Sequence, residues 1–258
     1  MNYNYLQLRE IFHLQFLRWL GKKVNPSYYA LKGGVNLRFF YSSFRYSEDM
    51  DLDVHTIKVN VLQNKVMQIL DSSSFQNNFQ LFGINKIIPP DITKAKQTET
   101  TQRFKIHLIT LSGEDLFTKI EFSRRNFKNN IKVETVSNNI LMEYKLSPLV
   151  VPHYDVNSAV FQKIKALAER TATQARDVFD IYILIPQAGL LDKNNFKSNK
   201  LNKKMAEKAL ENIFEISFEQ FKDTVVAYLS KEDQKMYNSV SVWDDIKLKT
   251  INYIEKLK

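Results

Sequence analysis

Apolar residues recur near the start of the chain at Leu6, Leu8, Ile11, Phe12, Phe16, Leu17 and Leu20, with Arg9, Glu10 and Arg18 between them. This spacing predicts an amphipathic helix over residues 4–20, closed by Gly21 and a turn at Pro26. Tyr28–Lys32 predicts a short strand leading into Gly33 and Gly34. VNLRFFYS follows without a helix breaker and predicts a short helix. In MDLDV apolar and acidic residues alternate, so a strand there sets Asp49, Asp51 and Asp53 on one face. Val59, Leu62, Val66, Ile69 and Leu70 keep helical period over 59–70. The Ser- and Asn-rich patch at 72–78 predicts a loop, 79–88 a strand stopped by Pro89 and Pro90, and 91–102 a polar loop. Phe104–Thr110 and Leu116–Phe122 alternate with period two, and Gly113 between them predicts a hairpin. Residues 131–155 hold Pro148 and Pro152 and predict a connection. From Asn157 onward the pattern is helical, which places a boundary near 150 and domains at 1–150 and 151–258.

The chemistry concentrates in residues 31–54, LKGGVNLRFFYSSFRYSEDMDLDV, which contain the only adjacent glycine pair in a chain of six glycines. Three like charges on one strand face repel one another. A hard divalent cation would offset that, since Mg²⁺ binds carboxylates together with substrate phosphates. Glycines at a helix start let backbone N–H groups approach phosphate oxygens closely. Gly-Gly or Asp-x-Asp alone is a weak signal; the two in succession are a stronger one.

Composition narrows the setting. The 37 Lys and Arg against 28 Asp and Glu give +9, which favours a polyanionic partner such as RNA or a phosphate-rich substrate, although solvated surface lysines would read the same way. Lys193, Lys197, Lys200, Lys203, Lys204 and Lys208 form the densest basic run, open to both readings. With no cysteine, disulfides and thiolate metal sites are excluded. His13, His55, His107 and His153 lack zinc-like spacing. No apolar run reaches the roughly 20 residues that span a bilayer, so no membrane partner is expected and a cytoplasmic location fits.

Gly33, Gly34, Leu37 and Arg38, then Arg45, Ser47, Asp49, Met50, Asp51 and Leu52, resemble the signature of the AbiEii/AbiGii toxin branch of the DNA polymerase β-like nucleotidyltransferases. Lys163, Ala166 and Arg170, then Arg176, Asp177 and Asp180, resemble two further motifs of the same family, in family order. The resemblance covers most of the chain. It implies an α/β fold: a polymerase β-like nucleotidyltransferase domain with a small mixed sheet, followed by a mainly helical C-terminal half that completes the active-site cleft.

The resemblance also implies roles. Asp49 and Asp51 would hold one or two Mg²⁺ ions, with Asp53 as a helper. Glu121 is positioned as the third carboxylate, a metal ligand or proton acceptor; it reads equally as a strand glutamate paired with Lys119 or Arg124. Gly33 and Gly34 would hold the triphosphate, with Lys163, Arg38, Arg170 and Arg176 toward nucleotide or substrate phosphates and Asp180 toward nucleotide or substrate. Arg45 would brace the loop before the acidic strand. The implied activity is transfer of NMP from a nucleoside triphosphate to an acceptor hydroxyl with release of pyrophosphate. The acceptor would be RNA, the tRNA 3′ end first, and the protein the toxin of a toxin–antitoxin or abortive-infection pair with a separately encoded antitoxin. A small-molecule or protein acceptor, and an inactive member that only binds nucleotide or RNA, are the alternatives.

Overall fold

A computed structural model describes residues 3–125, 130–188 and 202–258. Of the basic run, Lys193, Lys197 and Lys200 lie outside the described residues. The chain divides into two compact units, one of Met1–Phe40 with Tyr46–Tyr154, the other of Tyr41–Arg45 with Asp155–Lys258.

The first unit begins with α1 (Tyr5–Lys23), whose start is closed reciprocally by Asn4 and Gln7. The helix runs through Gly21, where termination was expected, and ends at Val24. One helical glycine costs about 1 kcal/mol, a small loss beside the burial of Leu17, Leu20 and Val24. Next come β1 (Tyr29–Lys32), α2 (Gly33–Phe40), β2 (Met50–Val54), α3 (Val59–Leu70) and α4 (Ser73–Asn77). Then follow β3 (Ile84–Ile88), β4 (Thr101–Thr110), β5 (Asp115–Ser123), β6 (Ile131–Thr135), α5 (Asn138–Glu143) and β7 (Val150–Tyr154). The seven strands form one sheet in the order β3-β4-β5-β2-β1-β7-β6. Pairing is antiparallel except for β2 with β5 and β1 with β7.

The period-two pattern decides which face is covered. Gln102, Phe104, Ile106 and Leu108 of β4 are buried, and the last three join α1 and α3 in one apolar core. Arg103, Lys105 and His107 alternate with them on the opposite, open face. The hairpin turn falls at Gly113, with φ +86°.

Three stretches differ from expectation. The 72–78 loop contains α4, capped by Ser72 and anchored by buried Phe75. In 79–88 a 3₁₀ turn at Gln80–Phe82 precedes the strand. The supposed connection at 131–155 supplies β6, α5 and β7. Pro152 sits inside β7 opposite Val133 of the edge strand β6.

Beneath the sheet, Arg38 of α2 donates to both oxygens of Glu10 on α1, at 2.7 and 3.2 Å. Tyr144 donates to the same carboxylate at 2.6 Å, and the guanidinium lies 4.2 Å from the Tyr46 ring centre. Burial and the Glu10 charge both push the Tyr144 hydroxyl well above its ordinary pKa. This network ties α1, α2 and α5 together.

The second unit is helical: α6 (Val156–Glu169), α7 (Ala175–Ala188), α8 (Lys203–Phe214), α9 (Phe218–Thr224), α10 (Lys231–Tyr237) and α11 (Val240–Leu257). Its core centres on Phe179, Phe221 and Trp243, the last two stacked at 4.5 Å.

Truncating Glu10 removes the buried carboxylate to which Arg38 and Tyr144 both donate. Glu10→Ala should lose about 3–5 kcal/mol of unfolding free energy, read by urea denaturation. A loss under about 1 kcal/mol, the scale of an exposed pair, would mean that solvent reaches the guanidinium.

Candidate active site

Strand register builds one charged row across the open face. Lys32 of β1 is opposite Asp51 of β2, Asp51 is opposite Glu121 of β5, and Glu121 is opposite Arg103 of β4. Cations therefore flank a central pair of carboxylates. Arg103 donates to Glu121 at 2.6 Å, so the partner of Glu121 is neither Lys119 nor Arg124. Arg124 bonds Gln102, and Lys119 pairs with Asp49 at 2.9 Å.

The three aspartates fare differently. Asp53 is 1% exposed, and its two oxygens take Lys32 at 2.5 Å and the Tyr154 hydroxyl at 2.8 Å. Both of its oxygens are thus engaged by protein groups. Asp49 lies just before β2, where Ser47 donates to its backbone carbonyl at 3.0 Å. Its Oδ2 meets Lys119, while its Oδ1 is buried without a hydrogen-bond partner. Asp51 has no hydrogen bond or ion pair among the described residues. Its pKa is raised, first by burial, then by Glu121 and Asp49, against the opposing pull of Lys32 and Lys119.

Gly33 opens α2 with φ +70°, a conformation that side chains rarely adopt. A Cβ built there would lie 2.9 Å from Oδ2 of Asp51. The helix start thus rests directly on the carboxylate. Gly34 follows as the second residue of α2. Arg38, from the same helix, is turned to Glu10 in the α1–α2 pair.

The carboxylates suit a divalent cation. Among the described residues no group of three or more histidine and acidic side chains forms a ready cage. Mg²⁺ is ordinarily held by one or two carboxylates plus substrate phosphates. Asp49 with its orphaned oxygen, and Asp51 with no partner, match that mode.

The second unit holds a separate buried network. Asp180, 0% exposed, receives Arg45 at 3.0 and 3.1 Å and Lys163 at 2.6 Å. Lys163 also meets Asp177 at 3.0 Å, and Arg170, the residue closing α6, meets Asp177 at 3.1 Å. Burial works to raise the Asp180 carboxyl, but Arg45 and Lys163 outweigh it and hold the pKa below its ordinary value. Arg176 is exposed and has no side-chain partner among the described residues. The expected one-face alignment of Lys163 with Arg170 therefore converges on Asp177, while Arg45 serves Asp180. Sequence reasoning missed Lys32, Arg103 and Tyr154. Lys32 carried a signal: it directly precedes the glycines, at the end of a strand too short to pair far from β2.

A family model described as "Nucleotidyl transferase AbiEii toxin, Type IV TA system" matches residues 16–241. Among solved structures, the chain is similar to JHP933 from Helicobacter pylori, at 19% identity and TM-score 0.55, covering 99% of this chain and 96% of that one. A nucleotidyltransferase toxin of Mycobacterium tuberculosis, MenT4, aligns at 14% identity and TM-score 0.59, over 98% of this chain and 85% of that one. No curated protein matches the chain.

Two substitutions test this geometry. Gly33→Ala meets both a left-handed backbone penalty of roughly 1–2 kcal/mol and a carboxylate in the space of its Cβ. It should lose most activity while remaining folded at room temperature, as checked by circular dichroism beside the activity assay. Gly34, whose φ is not positive, carries no such backbone penalty.

The second concerns Asp51, whose folded-state pKa lies above the unfolded one. Its ionised form therefore costs stability in full above the folded pKa, and the cost vanishes as pH falls to the unfolded value of about 3.9. Asp51→Asn should melt higher than wild type in metal-free neutral buffer, with the gap closing toward acid pH. A lower melting temperature for the variant at neutral pH would show that the ionised carboxylate is stabilised after all.

Proposed function

The chain belongs to the AbiEii nucleotidyltransferase toxin family, a type IV toxin–antitoxin family whose members act on nucleoside triphosphates, and from that premise we propose that it transfers NMP to an acceptor hydroxyl of RNA, the tRNA 3′ end first, with Mg²⁺ as cofactor. The observation that carries this reading is the contact of the Gly33 helix start with the unpartnered Asp51 carboxylate, beside Asp49 and Glu121.

In the proposed reaction the acceptor hydroxyl oxygen bonds to the α-phosphorus and the bond to the β,γ-diphosphate breaks, releasing pyrophosphate. The hydroxyl proton passes to Glu121. Backbone N–H groups at Gly33 and Gly34 hold the triphosphate. Asp49 and Asp51 would hold a divalent cation, which would supply charge stabilisation for phosphoryl transfer. Positioning and electrostatics supply most of the rate, as is general for phosphoryl chemistry.

In the second unit, Lys163 has three N–H donors and two carboxylate partners. From the family motifs, Lys163 and the exposed Arg170 and Arg176 are the cations proposed to bind phosphates. Asp180 acts by position, holding Lys163 and Arg45 in place. The +9 charge supports a polyanionic acceptor. No helix among the described residues is long and apolar enough to cross a membrane. The antitoxin partner follows from the family.

The test is transfer of label. The protein is incubated with Mg²⁺, each α-labelled nucleoside triphosphate in turn and total tRNA, beside Asp51→Ala. Label should appear on RNA with wild type and vanish with the variant or with a chelator. Label on the protein itself, or on a small product, would move the acceptor away from RNA.

A further inference from the structure

The β4–β5 ladder sets Lys105 directly opposite Lys119. Both stand on the open face with Arg103 and Glu121, because Phe104, Ile106, Thr118 and Ile120 are buried on the other. Like charges directly opposite one another destabilise a ladder. Asp49 answers Lys119 at 2.9 Å. Lys105 is exposed and has no ion pair or hydrogen bond among the described residues. Folding gives no reason for this second cation.

The pair lies between two other kinds of residue. Two positions along the strands, about 6.7 Å away, is the row of Arg103, Glu121 and Asp51. The same distance in the other direction, His107 faces Phe117 with ring centres 5.7 Å apart, and His107 is held by Asp115 at 2.9 Å. The open face thus reads, in order, carboxylates, paired lysines, aromatic rings.

We propose that this face of β4 and β5 is the track of the acceptor: a single-stranded RNA end whose terminal hydroxyl reaches the carboxylate row, whose backbone phosphate lies on Lys105 and Lys119, and whose neighbouring base stacks on Phe117. The inference rests on the reading that the acceptor is RNA. A single strand fits better than a duplex because stacking on a side chain needs an unstacked base. The lysines bind without reading sequence, so the track recognises an RNA end and leaves base choice to other contacts.

The experiment measures binding of a fluorescein-labelled single-stranded oligoribonucleotide across a salt series, together with label transfer onto it. Lys105→Ala should weaken binding about three- to tenfold and lower the slope of log affinity against log salt by about 0.7, one phosphate contact on a single strand. Lys105→Glu should weaken it further, and Lys105→Arg should restore it. Phe117→Leu, which keeps apolar bulk in place, should weaken binding about fivefold or more with the salt slope unchanged. Each variant should retain thermal stabilisation by nucleoside triphosphate, which separates loss of RNA from loss of fold. If wild type labels RNA and Lys105→Glu binds and labels it equally well, the track is overturned and the RNA reading stands. If wild type neither binds nor labels RNA, the acceptor reading fails and the track fails with it.

Discussion

The parallel pairing of β2 with β5 forces Asp51 and Glu121 into neighbouring positions on one face, and the first unit is arranged around that repulsion. Lys32 and Arg103 stand at the two ends of the row, so two cations bracket two carboxylates across four strands. Arg103 takes up Glu121, and Lys32 is drawn to Asp53 instead of Asp51. Asp51 is left ionisable, largely enclosed and without a direct partner, and its raised pKa follows from that. A sheet selected for stability alone would not keep such a residue. Sites prepared to bind a ligand commonly carry strain of this sort.

The second unit treats its carboxylates in the opposite way. Asp177 and Asp180 are both 0% exposed, and Arg45, Lys163 and Arg170 surround them. Burying two aspartates is tolerable only when opposite charges and hydrogen bonds replace the lost water. The network fixes Lys163 rigidly, so that whatever its remaining donor meets is met in one geometry. It also anchors the Tyr41–Arg45 segment to helices far along the chain, with Phe44 packed against Phe179 and Tyr237. The contrast separates two jobs for the same residue type. Paired and buried, an aspartate orients its neighbours; unpaired beside a helix start, it keeps both oxygens available as acceptors.

Much of this was legible in the sequence because it depends on local pattern. Period-two alternation in MDLDV, FKIHLIT and LFTKIEF foretold β2, β4 and β5 and told which side chains share a face. The helical period gave α3 with its observed bounds, and the glycine pair marked the start of α2. The acidic strand, the glycines and the second-half motifs pointed to nucleotidyl transfer through their resemblance, taken together, to a family signature. The sheet's far edge was obscured: β6 is a polar edge strand and β7 contains Pro152, so neither carries a strand signature.

Pairing across the chain was decided only by the tertiary structure. Asp49, Asp51 and Asp53 look equivalent as a run of alternate acids. Tertiary contacts bury Asp53 between Lys32 and Tyr154, give Asp49 one partner, and leave Asp51 none. Arg38 and Arg45 look like two motif arginines; one neutralises Glu10 and the other Asp180. A charge finds its counter-ion through space, at sequence separations that no local period encodes. The sequence by itself determined which residues are candidates for the chemistry. The fold determined which of them remain free to use it, because burial and pairing depend on what other strands and helices bring alongside.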